Sequence, residues 1–154
     1  MIVGARVDFR LIHGQVGNLW ANARQVSRFM VVDDQVSGDA TQKQVLRMAT
    51  PATCKLSVLP VEKAAANILA GKYDDQRLFI VVKKPGVYLE MVKAGVKFDE
   101  IILGNITSMD IVKTYNRNIN CGQDDVDALE ELDKLGVKMV IQLTPQNSPE
   151  PFKA

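Results

Sequence analysis

The chain has 154 residues, 47% of them apolar, with 19 lysines and arginines against 18 aspartates and glutamates, a formal charge of +1. That composition excludes a disordered chain and shows neither a nucleic-acid footprint nor a polybasic membrane anchor. The length suits a single domain over residues 1–154, with a polar tail from about residue 144.

Cys54 and Cys121 belong to no CxxC or Cys/His ligand pattern, so two reduced thiols are expected and no metal site. The chain opens with no basic region followed by a long apolar core. No apolar run approaches the roughly 20 residues of a membrane span. A soluble protein is expected.

In chain order, Ile2–Val7 reads as a strand, followed by a loop and an apolar-periodic run (Val16, Leu19, Trp20, Ala23) that reads as a helix. Trp20 is assigned to the core. Further strands are expected at Arg28–Asp33, Lys55–Leu59, Leu78–Val82, Glu100–Leu103 and Lys138–Leu143. Most are continuous apolar blocks, as in strands buried on both faces of a parallel sheet.

The intervening segments read as helices. Asp39-Ala40-Thr41-Gln42 resembles a capping box, and Val45, Met48 and Ala49 give that helix its apolar side. Val61, Ala64, Ala65, Ile68 and Leu69 form one helical face, with Gly71 as its stop. Pro85 suits the first turn of a helix ending near Gly95. The last helix runs from about Asp124 to Leu135, acidic at its start and followed by Gly136. Thr107–Cys121 lacks periodicity and reads as a long excursion with one short edge strand. The fold class is α/β, an open, mainly parallel sheet of about six or seven strands with helices on both faces.

Ligands of such sheets bind beyond the carboxyl ends of the strands. The residues expected there are Asp8 and Arg10, Asp33 and Asp34, Lys83 and Lys84, and Gly104 and Asn105. His13, the only histidine, belongs to the first of these loops and stands where the first helix begins. Backbone N–H groups there lack intrahelical partners, and the dipole adds partial positive charge, so the position suits phosphate. Arg6 and Arg10 add permanent charge and guanidinium forks. Gly14 lets the backbone approach closely.

The same positive field disfavours protonating the imidazole and keeps a ring nitrogen free to attack. Asp8 has three readings: it orients Arg10, holds the imidazole in one tautomer, or forms a turn. Asp34 and Asp39 read as cap and turn residues. Lys83 and Lys84 serve a phosphate field, a partner surface or a solvated face. No nucleotide-binding motif occurs.

The segment Arg6-Val7-Asp8-Phe9-Arg10-Leu11-Ile12-His13-Gly14-Gln15-Val16, with Trp20 after it, closely resembles the active-site segment of IIB components of the mannose/fructose/sorbose-type bacterial sugar phosphotransferase system. The likeness continues through Val31-Val32-Asp33-Asp34 to Asp39, through Gly95-Val96, and through Leu103-Gly104-Asn105.

The resemblance implies a cytoplasmic phosphocarrier enzyme, peripherally associated with a membrane sugar permease. His13 would accept a phosphoryl group from the IIA component and pass it to a sugar held by the membrane IIC and IID components. Arg10, Arg6 and the Gly14 and Gln15 backbone would cradle the phosphate, and neither cofactor nor metal is implied. The sequence does not choose between the two ring nitrogens. The competing class is a doubly wound phosphoryl-ligand-binding or regulatory module without transfer.

Overall fold

The computed structural model describes residues 1–154. Its elements are β1 (Ile2–Asp8), α1 (Gly14–Arg24), β2 (Arg28–Val32), α2 (Asp34–Ser37), α3 (Ala40–Ala49), β3 (Lys55–Leu59), α4 (Val61–Leu69), β4 (Leu78–Val82) and α5 (Pro85–Lys93). Then follow β5 (Ile101–Asn105), β6 (Lys113–Asn116), β7 (Ile119–Cys121), α6 (Gln123–Lys134), β8 (Met139–Ile141) and β9 (Glu150–Pro151). The main sheet has seven strands in the order β3-β2-β4-β1-β5-β8-β9. Every pairing in it is parallel except that of β8 with β9.

The continuous apolar strands bury both faces, and the pleat sends alternate residues to opposite sides. Met30 and Val32, with Leu78, Ile80 and Val82, join α4, α5 and α6 in one core cluster. Phe29 and Val31, with Phe79 and Val81, join α1, α2 and α3 in the other. Trp20 stands in that second cluster, its ring 5.6 Å from Phe79.

Aspartates start the helices of the second strand's loop. Asp33 accepts the Val36 N–H at 2.9 Å and caps α2, while Asp39 accepts the Gln42 N–H at 3.1 Å and caps α3. The Gln42 amide returns to the Asp39 carboxylate rather than to its backbone, so the capping box is only half formed. Asp34 reaches across to the Val61 N–H at 2.9 Å and serves the start of α4 instead of its own helix.

Four sequence expectations need correction. Val45 and Met48 do not form the buried side of α3; they are 59% and 79% exposed, and Leu46 is buried in their place. With only ten residues lying over the sheet's border, α3 buries a single large side chain. Leu69 is likewise 54% exposed: α4 buries Val61, Ala64 and Ala65, and Leu69, at the edge of that stripe in the last residue of the helix, stays outside. The 107–121 excursion holds two strands, not one. β6 and β7 pair antiparallel as a separate ribbon, joined to β5 by a bridge between Ile106 and Ile119. Finally, the polar tail folds back as β9 and buries Phe152 at 6% exposure against Tyr115.

The ribbon carries a titratable group of consequence. Cys121 is completely buried, and its thiol is pushed up to about 12, first by burial and then by the carboxylates of Asp125 and Asp124. An unfolded thiol ionises near 8.5. Above about pH 9 the unfolded chain therefore releases a proton that the folded chain keeps, and stability falls by roughly 1.4 kcal/mol per pH unit. Urea denaturation should show the parent losing roughly 2 kcal/mol more than Cys121→Ala between pH values of about 9 and 10.5. Parallel losses in the two proteins would remove Cys121 from the account.

Candidate functional site at the carboxyl rim

Within β1 the two-residue period puts Arg6 and Asp8 on the face that carries α1. Both are buried, at 2% and 0% exposure. Asp8 ends the strand, and its carbonyl accepts the Leu11 N–H at 2.9 Å, closing a tight turn through Phe9 and Arg10. Leu11 leaves that turn with φ 60°, a left-handed conformation that costs a branched residue about 1 kcal/mol or more. Burial of Leu11 and Ile12 in the core beneath α1 offsets that strain and fixes where the chain turns up into His13.

His13 is extended, with φ −148° and ψ 147°, and occupies the N-cap position of α1 without capping it. The N–H groups of Gly14, Gln15 and Val16 find no protein acceptor, so a free helix start faces the loop. Gly14 takes a φ of +47°, a left-handed conformation that suits glycine, and the space where its Cβ would stand is open.

The centre of the site is the Asp8 carboxylate. Its Oδ2 lies 3.0 Å from His13 Nε2, 3.3 Å from Arg6 Nη2 and 3.4 Å from Asn105 Nδ2. Its Oδ1 accepts the Arg10 N–H at 2.9 Å, and Arg10 Nε stands 3.5 Å away. A carboxylate only accepts, so the Nε2 that faces it carries the proton. Nδ1 is then the nitrogen with a free lone pair. The His13 side chain is 24% exposed and the Arg10 side chain 46%, so both reach solvent from this buried anchor.

Two expectations about charge change here. The arginines do not act on the imidazole alone, because Asp8 stands between them and the ring. Arg6 is not an open phosphate ligand either: it donates to Asp8 and, at 2.9 Å, to the Leu143 carbonyl, beside the Trp20 ring. Burial pulls its guanidinium below the ordinary arginine value, and the charge of Asp8 opposes that pull. Arginine starts so high that it stays charged at neutral pH. One nitrogen, Nη1, is buried without a partner.

Lys84 is committed elsewhere. It pairs with Asp124 at 2.7 Å and with Asp125 at 3.5 Å at the start of α6. Burial draws it down, but these carboxylates outweigh burial and raise it. Lys83 is half-buried with no ion pair, and Gln15 is exposed in the first turn of α1. Asn105 does reach the rim, where it touches Asp8. Gly104 emerges as a further requirement: a Cβ there would collide with the Arg6 guanidinium. A glycine inside a strand signals such a close approach, so the sequence carried that clue. The Leu143 carbonyl had no signal. No three His, Cys, Asp or Glu side chains gather as metal ligands.

The chain is a doubly wound α/β sheet with its one imidazole set on a buried carboxylate at a free helix start. The profile of the family described as "PTS system sorbose subfamily IIB component" matches residues 2–154, and the chain belongs to that family. It is a sugar-specific IIB component of the phosphotransferase system, in the sorbose/mannose group of transferases.

The sorbose-specific EIIB component of Klebsiella pneumoniae is 33% identical over 139 residues, covering 90% of this chain and 85% of that one. The mannose-specific EIIAB component of Escherichia coli is 29% identical over 92% of this chain, which spans 44% of that relative. Among solved structures, the IIB domain of the Klebsiella pneumoniae sorbose permease superposes with a TM-score of 0.90 at 32% identity, covering 97% of this chain and 91% of that one. No helix of the chain is long and apolar enough to cross a membrane.

Proposed function

We propose that this IIB component is a phosphocarrier enzyme that takes a phosphoryl group onto Nδ1 of His13 from a phosphohistidine of a IIA component. It then delivers the group to a sugar held by membrane IIC and IID components, working at the cytoplasmic face of that permease. The observation that carries the reading is the 3.0 Å contact between Asp8 and Nε2, which leaves Nδ1 as the free nucleophile beside an uncapped helix start.

The Nδ1 lone pair attacks the phosphorus, and the donor's P–N bond breaks with its electron pair returning to the donor ring. The His13 ring then carries both the phosphoryl group and its Nε2 proton, so positive charge develops on it. Asp8 stabilises that charge and holds the ring in line. Arg10 and the Gly14 and Gln15 N–H groups meet the charge on the transferred oxygens. Arg6 acts one step back, by fixing Asp8. In delivery a sugar hydroxyl oxygen attacks phosphorus and gives up its proton to solvent, while the P–N bond breaks and the pair returns to Nδ1. The EIIAB relative, which carries IIA and IIB designations in one name, supports a IIA donor.

Incubation with phosphoenolpyruvate, the general phosphotransferase proteins and a cognate IIA component tests the reading. Mass spectrometry should find acid-labile, base-stable phosphate on His13, and nitrogen-15 NMR should place it on Nδ1. Phosphate on Nε2 would contradict the role given to Asp8. Arg10→Ala should slow acceptance by roughly tenfold to a thousandfold, the range for one good electrostatic donor. Arg10→Lys should recover only part, since the fork is lost. Equal single-turnover rates in the three proteins would make Arg10 an ordinary surface residue.

A further inference from the structure

β3 is a border of the main sheet, paired only on its β2 side. The opposite border is the two-residue β9, so β3, with five residues, is the long free edge. The parallel register decides which backbone groups are free. The Lys55 N–H donates to the Ser27 carbonyl at 2.9 Å, and the Leu59 carbonyl accepts the Asp33 N–H at 3.0 Å. In a parallel ladder the N–H and C=O of one residue turn to the same neighbour, and those of the next turn away. Lys55, Ser57 and Leu59 therefore face β2, while Leu56 and Val58 direct two N–H and two C=O groups out of the sheet.

A groove of about 420 Å³ runs along that edge. Its floor is the side chains of Leu56 and Val58, on the face that carries α3, and its wall is Ala40, Lys43, Gln44 and Arg47 of α3. Lys43 and Arg47 stand four residues apart, about 6 Å along a helix. Leu56 and Val58 stand two apart, about 6.6 Å along a strand. The spacings nearly coincide, so a strand laid on this edge would bring alternate side chains to the level of the two cations. Both cations are exposed, and the chain's ion pairs all lie elsewhere. No acidic residue lines the groove.

A free edge is a template for another strand. A second copy of the chain is the wrong occupant. Antiparallel pairing of β3 with its own copy, about a two-fold axis normal to the sheet, would set both α3 walls on one face of the joined sheet. Lys43 and Arg47 of one protomer would then confront the same cations of its partner, and opposed like charges cost stability. The wall calls for negative charge.

We propose that β3 and α3 form a docking groove for an extended, acidic segment of a partner protein, which joins the sheet by strand addition. Leu56 and Val58 hold its backbone through hydrogen bonds. Glutamates at alternate positions lay their methylenes on the Leu56 and Val58 side chains and bring their carboxylates to Lys43 and Arg47. β2 and β4 separate this edge from β1, which carries the His13 loop, a distance of roughly 14 Å across the sheet. A segment docked here leaves His13 uncovered, and the assignment does not depend on phosphoryl transfer.

The test is an amide-spectrum titration of the full chain with the capped peptide Ser-Glu-Val-Glu-Val-Glu-Ser, and with the same peptide carrying Gln for every Glu. Shifts are expected at Leu56, Val58 and residues 40–47, with nuclear Overhauser contacts from peptide amides to those of Leu56 and Val58. The Gln peptide should bind at least about tenfold more weakly, and Lys43→Gln combined with Arg47→Gln should weaken the Glu peptide as much. Val58→Pro removes one outward N–H and no bond to β2, so the sheet should persist while peptide binding is lost. No binding, shifts confined to residues 9–15, or equal affinity for the Gln peptide or in the double variant would each overturn the proposal. Dilution of the protein without peptide checks the remaining occupant: concentration-dependent shifts at Leu56 and Val58 would put a second copy on the edge and overturn it too.

Discussion

His13→Ala is expected to accept no phosphoryl group from phosphorylated IIA while remaining folded. The imidazole is the only one in the chain, so no second histidine can substitute. Its contribution to the fold is small, since it caps nothing and its side chain is 24% exposed. Asp8 keeps Arg6 at 3.3 Å, the Arg10 N–H at 2.9 Å and Asn105 at 3.4 Å after the ring is gone. The loss is therefore about one hydrogen bond, roughly 1 kcal/mol. Far-ultraviolet circular dichroism and a urea titration should nearly match the parent, while labelling falls to background. An alanine protein that still takes label would place the acceptor elsewhere and end the carrier reading.

Asp8→Asn should nearly match that loss of activity by a different route. The substituted amide keeps the shape but presents donors as well as an acceptor. If its NH₂ faces the ring, Nε2 must accept, the proton moves to Nδ1, and the lone pair needed for attack is gone. The charge that stabilises the phosphorylated ring is lost as well. Replacing a buried carboxylate that orients a catalytic imidazole has cost about 10⁴-fold in the well-studied serine-protease case. Here the ring is partly exposed and can reorient, so a loss of roughly 10²–10⁴-fold is expected.

The same change leaves the buried Arg6 without its counter-charge, and breaking a buried pair costs about 3–5 kcal/mol. Rates must therefore be compared where urea titration shows both proteins folded. The tautomer separates chemistry from stability: nitrogen-15 shifts of His13 should show the proton on Nε2 in the parent and a mixed population in the variant. An unchanged tautomer with an unchanged rate would reduce Asp8 to a structural partner of Arg6.

Much of this was readable along the chain because its signals are local. Continuous apolar blocks marked six of the sheet's seven strands, and Asp39, Gly71, Pro85 and Gly95 marked helix ends, because caps act within one turn. A lone histidine between an arginine-bearing strand end and a helical pattern was likewise placed at the start of α1, where it stands.

Which charge faces which partner was not local. Arg6 and Arg10 are equivalent in sequence, yet strand parity turns Arg6 inward onto Trp20 and Asp8 while the turn after Asp8 leaves Arg10 outside. Lys84 was captured by Asp124, forty residues away, and Arg6 by the Leu143 carbonyl, 137 residues away. Those contacts follow from β5 and β8 lying on the same side of β1, an order that no window of sequence specifies. Asp8 shows the division most plainly. Its place at the strand's end is a local property, but its part as the hub for His13, Arg6, Arg10 and Asn105 exists only once β1, β5 and α1 have packed. A buried carboxylate is tolerable only where several donors converge on it.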